Sequence, residues 1–190
     1  MTVQLVATIQ RWLGLSTDTK PTAPPAGSEF YETDTAATYV YDGSAWQLRN
    51  AAGIYRASKT LTFTGAAGLG AVGAVPLFTI TGEVEIVRIV PFCTTLLGEA
   101  APGGATLALG VTVATTLLIA ATTALDIDAN EFWVDITPDP NGIAIPAALK
   151  EIAITDNIIG TVAVAAVNSG VIRFDLLWSP ISADGLVAAA

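Results

Sequence analysis

From residue 54 to 184 the chain is a succession of short apolar runs separated by turn residues, and nowhere does it keep the spacing of a long amphipathic helix. Val, Ile, Thr and Phe crowd these runs, which predicts strands over 55–64, 75–81, 83–93, 105–113, 116–121, 131–137, 150–155, 160–167 and 170–178. The breaks carry Gly82, Pro102-Gly103-Gly104, Asp139-Pro140-Asn141-Gly142, Asp156-Asn157 and Asn168-Ser169-Gly170, residues that suit tight turns. A short helical turn fits Pro146-Ala147-Ala148-Leu149. So many short strands predict an all-β chain in which residues 51–190 form an antiparallel β-sandwich of jelly-roll-like kind. The uncharged segment 100–125 is long enough to cross a bilayer, but Pro102, three glycines and the triplet Val111-Thr112-Val113 fit two or three strands instead. No membrane partner is expected.

Ahead of that domain the pattern changes twice. Residues 27–50 place aromatic and β-branched side chains around Asp34-Thr35 and Asp42-Gly43, the second a strong hairpin pair, and predict a three-stranded meander. Such a sheet is too small to hold a core alone and should lean on a neighbour. Phe30, Tyr31, Tyr39, Tyr41 and Trp46 supply its packing face, although the tyrosines and Trp46 could also form a platform for sugars. Residues 1–26 open on Val3, Leu5, Ile9 and Trp12, whose spacing suits a strand or a helix, and end in the proline-rich stretch 16–25. An apolar end on a stiff tether predicts a docking arm with Val3, Leu5, Ile9 and Trp12 as its contacts; the alternative is that it packs back on its own domain.

Composition narrows the function classes. The chain is 52% hydrophobic but only 13% charged, where an ordinary domain carries about 25%. Broad contact between copies would explain that balance, because obligate interfaces resemble a core cut in half. A net charge of −9, with eight scattered Lys and Arg, lacks the basic face of a nucleic-acid binder, so no nucleic-acid partner is expected. The absence of His removes the commonest general base and metal ligand. The N-terminal residues show no basic region ahead of a continuous apolar stretch, so no signal peptide is expected.

Four features invite a chemical reading. Cys93 is the single cysteine; inside Ile89-Val90-Pro91-Phe92-Cys93 it reads as a small buried hydrophobe rather than a reactive thiol. Gly68-Leu69-Gly70-Ala71-Val72-Gly73 matches a dinucleotide fingerprint, but a proline and a strand-like run follow where a helix is needed, so a loop is expected and no cofactor. Asp126, Asp128 and Asn130 alternate like the start of a calcium loop, yet Thr137 stands where the bidentate glutamate belongs and the turn glycine's place is taken by a third carboxylate, Glu131, beside Asp126 and Asp128. They are weak cation candidates, and no metal is expected. With Asp135 and Asp139 they could in principle include a glycosidase pair, although carboxylates around one turn usually form its solvated face. No catalytic residues are assigned, and the chain reads as a non-enzyme.

The stretch Gly27-Ser28-Glu29-Phe30-Tyr31-Glu32-Thr33-Asp34-Thr35, followed by Tyr39-Val40-Tyr41-Asp42-Gly43-Ser44-Ala45-Trp46, resembles a short module of tailed-bacteriophage structural proteins. The segment 75–93, together with 118–127, is similar to phage structural β-domains. The resemblance implies a virion role, with the major capsid protein or other virion proteins as partners. It favours a head-decoration protein or head fibre on the capsid exterior, assembled as a homo-oligomer, with a trimer favoured. A tail, baseplate or receptor-binding component is the alternative, and a carbohydrate-binding β-sandwich module is the competitor outside viruses.

Overall fold

A computed structural model describes residues 9–35, 37–49, 53–100 and 103–190. The chain divides into two compact units, Met1–Tyr55 and Arg56–Ala190.

The first unit holds a four-stranded sheet in the order β1 (Arg11–Gly14), β2 (Glu29–Glu32), β3 (Thr38–Tyr41) and β4 (Trp46–Leu48). The aromatic and turn residues of 27–50 predict the three-stranded meander of β2, β3 and β4; the structure adds β1, which runs parallel to β2 and pairs Trp12 with Phe30 and Leu13 with Tyr31. Trp46 is the hub of its packed face. Its ring meets Trp12 at 5.8 Å, Phe30 at 6.1 Å and Tyr41 at 5.5 Å between centroids, and its indole N–H donates to the Pro21 carbonyl at 2.9 Å. Edge-to-face and tilted contacts of this kind contribute beyond the area they bury. Gly14 lies so close to Phe30 that a Cβ there would stand 2.7 Å from the ring, which fixes the residue type at the end of β1.

Asp42 builds the β3–β4 turn. One carboxylate oxygen accepts the Ser44 and Ala45 N–H groups, both at 2.8 Å, while Gly43 takes φ +106°. The proline-rich stretch between β1 and β2 does not run free but is folded onto the sheet. Asp34 accepts the Ser16 N–H and hydroxyl, and the Gly27 N–H donates to the Tyr41 carbonyl. Most tellingly, the Lys20 ammonium reaches Glu32 at 2.6 Å while lying 4.1 Å from the Tyr39 ring centroid. Glu32 is only 2% exposed and also accepts the Thr35 hydroxyl. A buried carboxylate needs such partners to offset its lost hydration.

The second unit carries two five-stranded sheets. Its strands are β5 (Tyr55–Thr62), β6 (Gly73–Thr81), β7 (Val84–Glu99), β8 (Thr106–Val111), β9 (Ala114–Thr123), β10 (Glu131–Phe132), β11 (Lys150–Ile154), β12 (Ile158–Ala163), β13 (Val167–Pro180) and β14 (Leu186–Ala189). One sheet runs β10-β7-β13-β5, with β11 also on β7; the other runs β14-β6-β12-β8-β9. The ladders that join β7 to β13, β10 and β11, and β12 to β6 and β8, are antiparallel. Each sheet buries one face: Ile86, Ile89, Phe174 and Leu176 on the first, Val75, Leu77, Leu107 and Ile158 on the second. The fold is therefore all-β and sandwich-like, as the strand pattern predicted.

Segment 100–125 supplies the β8–β9 hairpin, closed where Val111 faces Ala114, and a single 3-10 turn at Ala124–Asp126. No helix among the described residues is long and apolar enough to cross a membrane. The strand expected over 131–137 ends at Phe132, because Asp135 accepts the Thr137 N–H and hydroxyl and turns the backbone out of the ladder. The glycine-rich run leads into β6 rather than a helix; a Cβ at Gly70 would lie 2.0 Å from the Val167 carbonyl oxygen.

Replacing Lys20 with Met should leave Glu32 buried without its cation and cost the small unit on the order of 3 kcal/mol. Thermal melts followed by amide NMR signals of residues 9–49 and of the sandwich should separate the two units. An unchanged melting point for residues 9–49 would refute the role given to this pair.

Candidate functional site

The outer face of the β7–β13 sheet is not a plain polar surface. On β7, Ile86 is buried yet Arg88, two residues on, is exposed, although a regular strand would put both on one face. The register explains it: Leu177 faces Arg88 while the next residue, Trp178, faces Ile86, so Val87 is an extra residue in the strand. After that bulge, Arg88, Val90 and Phe92 line the outer face, opposite Leu177, Asp175 and Arg173 of β13. Lys150 of β11 stands directly across from Arg88.

The segment after β10 rises beside this face and makes it a basin of about 470 Å³, with Phe132, Val134, Ile143 and Ile145 as one wall and Arg56 of β5 opposite. Phe92 and Phe132 meet at 5.0 Å, and the Arg173 guanidinium lies 5.6 Å from the Phe92 centroid. Asp175 accepts from both Arg173, at 2.7 Å, and Arg56, and from the Ser58 hydroxyl at 3.2 Å. Burial works against ionisation of Asp175, but the hydrogen bonds from Arg56 and Arg173 outweigh it and hold the carboxyl below its ordinary range. Arg88 has no ion pair or hydrogen bond from its side chain among the described residues. The lining thus combines three arginines with one carboxylate and an apolar floor, in a chain whose net charge is −9.

The residues singled out from the sequence fall elsewhere. Val3 and Leu5 lie outside the described residues, Ile9 is 54% exposed, and Trp12 is half-buried against Trp46. Phe30 and Tyr41 are buried, Tyr39 is half-buried under Lys20, and Tyr31 is exposed beside Leu13. Burial, and then the Glu32 carboxylate, raise the Tyr39 phenol. Asp126 and Asp128 are exposed, and the Glu131 carboxylate accepts the Asp128 N–H at 2.9 Å, which closes the turn on itself. Among the described residues no three Cys, Asp or Glu side chains gather as a metal site. Cys93 is buried, its thiol directed at the Thr95 and Ile127 carbonyls, and burial pushes it up to about 11.

Sequence reasoning missed the basin, because its arginines come from three strands far apart in the chain. The one local signal was Arg88 inside an otherwise apolar run. Comparison with protein-family models, curated proteins and solved structures returns no match.

Two measurements test this electrostatic picture. Asp175 should titrate below the ordinary 3.8 in a carboxyl NMR titration. Since its folded value is depressed, its contribution to stability is complete above the unfolded value and is lost as pH falls through the folded one. Arg173→Gln should move that titration upward, and no movement would show that the pair does not set it. With a thiol near 11, only about one molecule in a thousand is thiolate at pH 8. A disulfide reagent should therefore leave Cys93 unlabelled until the protein is unfolded; rapid native labelling would show an open thiol.

Proposed function

We propose that this chain is a non-enzymatic structural protein of a tailed-bacteriophage particle, held on the capsid exterior as a decoration or head-fibre protein. The observation that carries the reading is the small sheet whose segments resemble the phage module. Its aromatic rings turn inward onto Trp46, and it leaves Leu13, 75% exposed, and Tyr31 side by side on the other face. Ile9 and Leu15 flank them, and β1 is an edge strand. Exposed apolar side chains beside the Arg11–Glu29 ion pair on a separate β unit suit attachment to a protein lattice. Trp12, by contrast, is used within the unit, so the attachment surface in this reading is Ile9, Leu13 and Tyr31.

The sandwich is the projecting and self-associating part in this reading. Val113, Leu117 and Ile181 are exposed around one shallow apolar depression, the kind of surface that a homotrimer would cover. The basin on the β7–β13 sheet favours a second reading, a tail or baseplate component that contacts a receptor.

Co-sedimentation with purified capsids of the encoding phage tests the first reading. Leu13→Ser with Tyr31→Ser should reduce pelleting at least ~10-fold while the sandwich melts as before, since both side chains are solvent-exposed. Pelleting equal to that of the unmodified protein would overturn the attachment surface. Light scattering should return three chains per particle, and a monomer would overturn the trimer.

A further inference from the structure

We infer that the basin on the outer face of the β7–β13 sheet is a binding site for a small organic monoanion, a carboxylate carried on an apolar body. The lining carries Arg56, Arg88 and Arg173 against the single carboxylate of Asp175, and Lys150 stands across from Arg88. In a chain with more than twice as many acidic as basic residues, four of the eight cations gather at one face. Mutual repulsion would scatter like charges, and none of these side chains is among the buried residues of the sandwich core.

The four cations are not equivalent. Arg56 and Arg173 both spend hydrogen bonds on Asp175, and Arg173 also lies over Phe92, so these two are oriented by the protein. Arg88 is different: it has no ion pair or side-chain hydrogen bond among the described residues, and the bulge at Val87 points it onto the face that the rest of the strand reserves for the basin. A guanidinium presents two parallel donors that match the two oxygens of a carboxylate, which makes Arg88 the anion anchor.

The floor decides what the anion is attached to. Val90, Phe92 and Leu177 lie next to Arg88 along the two central strands, and Ile143 and Ile145 form the wall. These groups offer no hydrogen bonds to a polyol, but they cover an aromatic ring or a short branched chain. The volume of about 470 Å³ lies within the range of about 300–1,000 Å³ usual for small-molecule sites. Asp175 engages Arg56 and Arg173, which leaves Arg88 as the lining guanidinium without an ion-pair partner among the described residues, and one carboxylate matches it. A polyanion such as nucleic acid is therefore a poor fit, and a monocarboxylate a good one.

The test uses the intact protein and three probes at constant ionic strength: benzoate, glucuronate and benzyl alcohol. They separate a carboxylate on an apolar ring from a carboxylate on a sugar ring and from the ring without charge. Benzoate should give saturable amide shifts confined to residues around 88–92 and 173–177, with at least ~10-fold tighter binding than benzyl alcohol. Arg88→Gln should weaken benzoate at least ~10-fold without changing the melting temperature, because the side chain is exposed. Arg88→Lys should recover part of the affinity, having the charge without the paired donors. Absence of saturable shifts with either acid, or an Arg88→Gln variant that binds as well as the original, would overturn the site. Tighter binding of glucuronate than of benzoate would overturn the apolar body.

Discussion

The antiparallel ladder between β7 and β13 is the constraint on which the larger unit depends. These strands, of 16 and 14 residues, are the longest among the described residues and sit at the centre of their sheet. One face of the ladder supplies Ile86, Ile89, Phe174, Leu176 and Trp178 to the core. The other carries Arg88, Phe92, Arg173 and Asp175 to the basin. Since side chains alternate, the two roles are locked together: a slip of one residue would bury the arginines and expose the core. The bulge at Val87 lets both faces be served by a sequence that departs from strict alternation.

The small unit solves a different problem, that of holding a four-stranded sheet with few residues. It does so by concentrating contacts on Trp46 and by neutralising the buried carboxylate of Glu32 with a lysine from the preceding loop. Cation, rings and carboxylate form one assembly: Lys20 lies near both the Phe30 and Tyr39 rings while paired to Glu32. Low charge overall does not mean that charge is unimportant. Here single charged groups decide which loop packs where.

Fold class and most strands were legible because they depend on local patterns: β-branched runs, turn pairs and the lack of helical spacing. The proline-rich stretch was not. Its composition speaks for an extended linker, and only the non-local contacts of Ser16, Lys20 and Gly27 bring it onto the sheet. The strand after Asn130 was overread for a related reason: beyond Phe132 the backbone makes one last bond to β7, from the Trp133 N–H to the Pro91 carbonyl, and the Trp133 indole turns inward to donate to the Thr122 hydroxyl. The basin was illegible in principle. Arg56, Arg88 and Arg173 look scattered in one dimension, and only the pairing of β5, β7 and β13 makes them neighbours.

The parallel entry of β1 has a mechanical meaning. With β1 parallel to β2, and β3 antiparallel to both β2 and β4, the chain enters the small sheet at one end of β1 and leaves from the opposite end of β4. Tension applied across the unit would run along the strands and load the hydrogen bonds of each ladder together, in shear, rather than peeling them apart singly. Loaded in this way, a ladder yields as a whole and not bond by bond.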